Sequence, residues 1–299
     1  MLLRREAIID TSRRANGNSM HFISRAAPVL VLGPALLSAP AEAARLSTAC
    51  TALTQKAATL SPEDAFQANL VLFPAAAAGC EDLVRELLAR GIAVDARDRV
   101  GRTALALAAK EGRNAIADML LERGAALDAR AISGATPLFF AAEADHTSTA
   151  KLLVDRGADV SLAGAGGLTP LMAAAFNGNA ELVDLFLTKG TDPNALETTG
   201  KAAIVYAASR GFTRVVARLI EAGVDVNRRY AHGLTALMWA AGYADGAGID
   251  DIKQMVSLLI ARGTALDARD DRGLSAQEIA RDLGHKEIAD YLAAQSPAR

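Results

Sequence analysis

GATPLFFAAEAD at residues 134–145 and GLTPLMAAAFNG at residues 167–178 decide how this chain is read. They lie 33 residues apart, and the same interval separates Gly101, Gly134, Gly167, Gly200 and Gly233, with Gly273 following after 40. Behind the other glycines stand GRTALALAAKEG, GKAAIVYAASRG, GLTALMWAAGYA and GLSAQEIARDLG. Each string begins a short helix. In Thr136-Pro137 and Thr169-Pro170 the threonine can cap free N–H groups, and proline at the first helical position sacrifices no hydrogen bond.

Working outward, the paired alanines Ala108-Ala109, Ala141-Ala142, Ala174-Ala175, Ala207-Ala208 and Ala240-Ala241 recur in register, small enough to let neighbouring helices approach. A second helix follows in each unit, with apolar residues such as Ile116, Met119 and Leu120, or Leu182, Leu185 and Phe186, at i, i+3, i+4 spacing. It ends at Gly91, Gly124, Gly157, Gly190, Gly223 or Gly263, residues suited to the left-handed helix C-cap. Strings such as GADVSLAGAGG then lead through an extended turn into the next unit.

A period of 33, a T-P-L-x-x-A-A signature and a G-A-D-V-style exit resemble the ankyrin repeat. The resemblance covers residues 68–292. It implies an all-α solenoid of about seven helix-turn-helix units with β-hairpin tips, starting near Ala68, Gly101, Gly134, Gly167, Gly200, Gly233 and Gly273. The family's histidine after T-P-L is replaced here by Ala106, Phe139, Met172, Val205, Met238 and Glu278, so apolar packing must substitute for its hydrogen bonds. The first unit lacks a recognisable hairpin, and Pro74 falls where its inner helix should run. Arg281 in place of the second alanine suits a last, capping unit with one wet face. A helix from about Leu46 to Thr59 is expected to cap the other end, with Ser61-Pro62-Glu63-Asp64 as a fresh helix start.

Composition agrees with a helical class: 51% of the 299 residues are apolar but only 4% aromatic, a balance reached through alanine and leucine. Net charge is -2, far from the basic footprint of a nucleic-acid binder. The first 43 residues read as a secretory signal peptide: Arg13, Arg14 and Arg25 precede an apolar run from Ala26 to Leu37, and Ser38-Ala39-Pro40-Ala41-Glu42-Ala43 supplies an A-x-A site with cleavage after Ala43. Met1 and Met20 both stand as candidate starts. The run is too short to span a bilayer, which takes about 20 residues. Without the leader the chain carries 27 basic and 31 acidic residues. The expected organisation is therefore a signal peptide (1–43), an N-terminal helical cap (44–67), repeats (68–292) and a C-terminal tail (293–299). Cys50 and Cys80 lie beyond the cleavage point, where an oxidising compartment would permit a disulfide; a pair of small thiols is the alternative.

No catalytic chemistry emerges. His21, His146, His232 and His285 are scattered, and none stands at ligand spacing from a cysteine or carboxylate, so neither metal nor cofactor is expected. There is no G-x-S-x-G. Gly164-Ala165-Gly166-Gly167 sits at a hairpin tip and is not followed by the lysine of a phosphate loop. Asp245, Asp250 and Asp251 belong to an insertion, YADGAGIDDI, without calcium-loop spacing.

Ankyrin-like solenoids recognise partners through hairpin tips and the exposed inner-helix face. Carried over by position, the tips supply Arg97, Arg130, Arg229 and Arg269, the middle units Phe139, Leu168 and Phe176, and the flanks Arg99, Arg102, Lys110, Lys201 and Arg210. These residues suggest an apolar centre in a charged rim. The expected function is a non-catalytic, monomeric protein-interaction scaffold exported to a bacterial periplasm, with no nucleic acid and no membrane span. The alternatives are a secreted effector acting on host proteins, or a small-molecule binder or enzyme using the groove.

Overall fold

The computed structural model describes residues 39–61, 65–244 and 246–295. Residues from Leu46 onward form one compact unit. Helix α1 (Ala39–Ala58) is followed by seven helix pairs among the described residues. They are α2 (Ala65–Ala78) and α3 (Glu81–Ala89), α4 (Ala104–Lys110) and α5 (Asn114–Glu122), α6 (Pro137–Glu143) and α7 (Thr147–Asp155), and α8 (Pro170–Asn177) and α9 (Ala180–Thr188). The last three pairs are α10 (Ala203–Ala208) and α11 (Thr213–Glu221), α12 (Ala236–Tyr243) and α13 (Ile249–Ala261), and α14 (Ala276–Asp282) and α15 (Lys286–Gln295). First helices stack on first helices, unit after unit, and second helices on second helices, giving two layers.

The short first helices start where the sequence says they should. The hydroxyls of Thr103, Thr136, Thr169 and Thr235 each accept a hydrogen bond from the backbone N–H three residues on, and Ser275 does the same in a capping box with Glu278. Such a cap stabilises a helix by about 1 kcal/mol. Unit five departs: Ala202 holds the cap position and has no oxygen to offer.

The core follows the repeat. All five alanine pairs are fully buried, as are Leu105, Leu138, Leu171, Ile204 and Leu237 at one position of the first helices and Leu120, Leu153, Phe186, Leu219 and Leu259 at one position of the second. At Gly242 the first helices of units six and seven approach so closely that a Cβ would lie 2.4 Å from the Ile279 methyl, so an alanine would force α12 and α14 apart. Ala106, Phe139, Met172, Val205 and Met238 are all buried where the family would carry histidine, so packing does substitute. Helix α2 runs through Pro74. Proline inside a helix costs about 3 kcal/mol, but burying Val71, Leu72, Ala75 and Ala76 completely more than offsets it, at roughly 1.5–3 kcal/mol for a large side chain.

The expected β-hairpin tips take the form of tight turns. Each is closed by one backbone bond across its mouth, from Asp98 N–H to the Arg102 carbonyl at 2.9 Å, Ala131 to Ala135 at 3.0 Å and Glu197 to Lys201 at 3.0 Å, with the same pattern in the other units. That is too little pairing for a ladder, and no strand forms among the described residues. Adjacent tips are linked instead, as from Ile132 N–H to the Val100 carbonyl at 3.0 Å and Thr198 to Gly166 at 2.7 Å.

At the N-terminal end the cap helix is longer than expected. Cys50, Leu53 and Leu60 pack on the core, Ala57 is buried, and Cys50 is joined to Cys80 by a disulfide across a separation of 30 residues. Closing a loop of that size contributes about 3 kcal/mol. The signal-peptide reading and the helix start at Pro62-Glu63-Asp64 fall largely outside the described residues, as does Asp245. Asp250 and Asp251 occupy the first turn of α13, where acidic side chains complement the helix dipole.

Candidate protein-interaction face

Three surfaces compete for recognition: the tips, the outer-helix face and the inner-helix face. The tip arginines turn out to be employed within the chain. Arg97 donates to the Gly101 carbonyl of its own turn at 2.9 Å and to the Arg130 carbonyl of the next tip; Arg130 reaches Ala163 O at 2.6 Å, and Arg229 reaches Arg269 O at 2.6 Å. Arg269 bonds Gly273 O at 2.6 Å and pairs with Glu278. These guanidiniums staple one tip to the following one. Arg102 is tied to Asp98 at 2.8 Å. Burial pushes the Asp98 carboxyl up, but hydrogen bonds from Arg102 and Val100 outweigh it and hold the group below its ordinary value. Arg99 is exposed on the same turn.

Of the proposed apolar centre, Phe139 is placed differently from the sequence expectation. It is 6% exposed and meets Phe140 edge to face at 6.3 Å, within a cluster of Ala106, Ala131 and Ala135 on which Leu168 packs. It fills the space of the missing histidine and is not available to a partner. Phe176 is half-buried, with the Arg210 guanidinium 4.4 Å from its ring centroid.

Over residues 43–131, 72–164, 126–196 and 171–249 the sequence matches the family described as ankyrin repeats (3 copies), and over 232–271 the single ankyrin repeat. The chain belongs to the ankyrin-repeat family. The crystal structure of the human ASB11 ankyrin repeat domain is similar to it at 24% identity and a TM-score of 0.66, covering 76% of this chain and 98% of that one, a likeness of fold. No curated protein matches the chain in sequence. Ankyrin repeats generally mediate protein-protein interaction, and ankyrin-repeat proteins are typically non-catalytic scaffolds.

Within these ankyrin repeats, the column one residue beyond Phe139 is the informative one: Leu107, Phe140, Ala173, Tyr206 and Trp239. Sequence reasoning missed it, although its aromatic enrichment is visible once the strings are aligned. Phe140 is buried with Phe139, but Tyr206 and Trp239 are only half-buried. Tyr206 meets Phe176 edge-on at 6.3 Å, and Trp239 lies 4.9 Å from Tyr243. Two cations lie across this lane. Lys201 Nζ stands 5.3 Å from the Trp239 centroid, and Arg210 bridges Phe176 and Phe212.

Electrostatics on this face are unusual for a surface. Burial lowers the Lys201 pKa, opposed by the charge of Glu197. The Glu197 carboxylate is itself turned to the backbone N–H groups of Thr199 and Lys201 and to the Thr199 hydroxyl. Burial, followed by the same Glu197, pushes the Tyr206 phenol above its ordinary range, so it stays a neutral donor. The Trp239 Nε1–H is buried without a hydrogen-bond partner. On the flank, burial raises the Glu143 carboxyl while Lys110 opposes the rise.

Two of the histidines serve the fold. His285 Nδ1 lies 2.9 Å from the Ala241 carbonyl of the preceding unit, and the His146 ring packs against the Gly112 turn. Among the described residues no group of three or more His, Cys, Asp or Glu side chains could hold a metal ion, and no helix is long and apolar enough to cross a membrane.

Proposed function

We propose that this protein is a non-catalytic interaction scaffold that works after export, in a bacterial periplasm, and holds a partner protein on the inner-helix face of its middle units. The aromatic lane of Phe176, Tyr206, Trp239 and Tyr243 carries the reading. Large half-exposed rings beside Arg and Lys are the composition of interface hot spots, where binding energy concentrates. The tips, with their arginines engaged in joining units, serve the scaffold.

Export is supported by two independent features. The leader pattern ends in Ala41-Glu42-Ala43, and the Cys50–Cys80 disulfide belongs in an oxidising compartment. Cell fractionation with N-terminal sequencing tests this: the mature chain should begin at Ala44 in the periplasmic fraction with no free thiol. A cytosolic chain retaining its N-terminus, with both thiols reactive, would overturn the location. For the interaction, affinity purification from the native periplasm should yield a stoichiometric protein partner that Trp239→Ala releases.

A further inference from the structure

We propose that the inner face of units four to six takes a protein segment in which carboxylate side chains flank an apolar or aromatic one. This names the chemistry of the partner and rests on the interaction-scaffold reading above.

Charge complementarity carries the argument. On the outer-helix face, cations find acids in the neighbouring unit: Lys151 pairs with Glu181, Arg218 with Asp184 at 2.5 Å, and Arg262 with Glu221 at 3.4 Å. Lys201 and Arg210 have no carboxylate at ion-pair distance among the described residues; both lie over aromatic rings instead. Acid is not scarce, since the chain carries 34 acidic against 32 basic residues. The Lys201 ammonium is partly desolvated and makes no hydrogen bond through Nζ among the described residues, so an anion docking beside it restores lost hydration. The half-buried rings of Phe176, Tyr206 and Trp239 between and around the two cations offer apolar area. A polyphosphate backbone fits less well. Two cations on a net-acidic chain fall short of the basic stripe that nucleic acid requires.

The test pans short random displayed peptides on the full-length oxidised chain and measures the affinity of the enriched sequences for wild type and for Lys201→Gln/Arg210→Gln. Arg210→Gln alone, at an exposed position, serves as the second variant, and thermal melts confirm that both stay folded. We expect Asp or Glu enriched next to Phe, Leu or Trp, affinity that falls with added salt, and a loss of about tenfold or more in the double variant, equivalent to about 1.4 kcal/mol. Enriched peptides without acidic residues, or bound as well by the double variant as by wild type, overturn this inference while leaving the interaction reading intact. Failure to enrich any peptide overturns both. A single-stranded oligonucleotide that binds more tightly than the peptides, and loses affinity in the double variant, replaces the peptide with a nucleic acid.

Discussion

The outer and inner faces of the same helical stack use charge in opposite ways. On the outer layer, ion pairs run from one unit to the next: Arg156 with Asp118, Lys151 with Glu181, Arg218 with Asp184 and Arg262 with Glu221. All these side chains are substantially exposed, so each pair adds little to stability and mainly fixes register. On the inner layer of units four to six, Lys201 and Arg210 rest on Trp239, Phe176 and Phe212 with no carboxylate at ion-pair distance among the described residues. The difference teaches that charge on the outer layer is consumed in holding the solenoid together, while charge on the inner layer is held in reserve.

That contrast can be broken in several ways. The largest effect belongs to the packing beneath the outer layer: Phe186→Ala empties a fully buried site and should cost about 3–5 kcal/mol in denaturant unfolding. A much smaller loss would mean that the outer layer is not the stabilising one. Ala202→Thr supplies unit five with the cap its neighbours have and should stabilise the chain by about 1 kcal/mol, leaving partner affinity unchanged because residue 202 is fully buried and cannot touch a partner. If affinity rises together with stability, then flexibility of α10 had been limiting recognition.

At the tips, Asp98 offers a pH-dependent check. Its folded pKa is below the unfolded value, so its stabilisation is present above the ordinary carboxylate range and is lost as pH falls through the folded value. Asp98→Asn should therefore lower the melting temperature near neutral pH, and the gap to wild type should close below about pH 4. A gap that persists in acid would assign the effect to geometry and not to charge. The smallest change is expected from Arg218→Gln on the outer face, a slight drop in melting temperature at low salt that vanishes at high salt.

Much of this architecture is legible in the sequence because a 33-residue period repeats the same physical solution. Capping threonines, paired alanines and C-cap glycines all return in register, and the helices start and stop where they predict. Other features depend on partners that no local pattern announces. The tip arginines look like a charged rim until their acceptors are seen to be backbone carbonyls, although the 33-residue step from Arg97 to Arg130 is itself the spacing of such a staple. Phe139 and Phe140 are adjacent, and the helix turns the first into the histidine position of the core. The recognition column then follows one residue later, through Tyr206 and Trp239. Pro74 suggested an interrupted helix, but burial on the flanking turns overrides its local cost.

The central claim is that recognition resides on the inner face and register on the outer one. It is tested most directly by measuring the affinity of the co-purified partner for two charge-neutralised doubles, Lys201→Gln/Arg210→Gln inside and Arg156→Gln/Arg218→Gln outside. The account predicts a loss of about tenfold or more for the inner double and almost none for the outer. Equal losses, or a loss confined to the outer double, would contradict it.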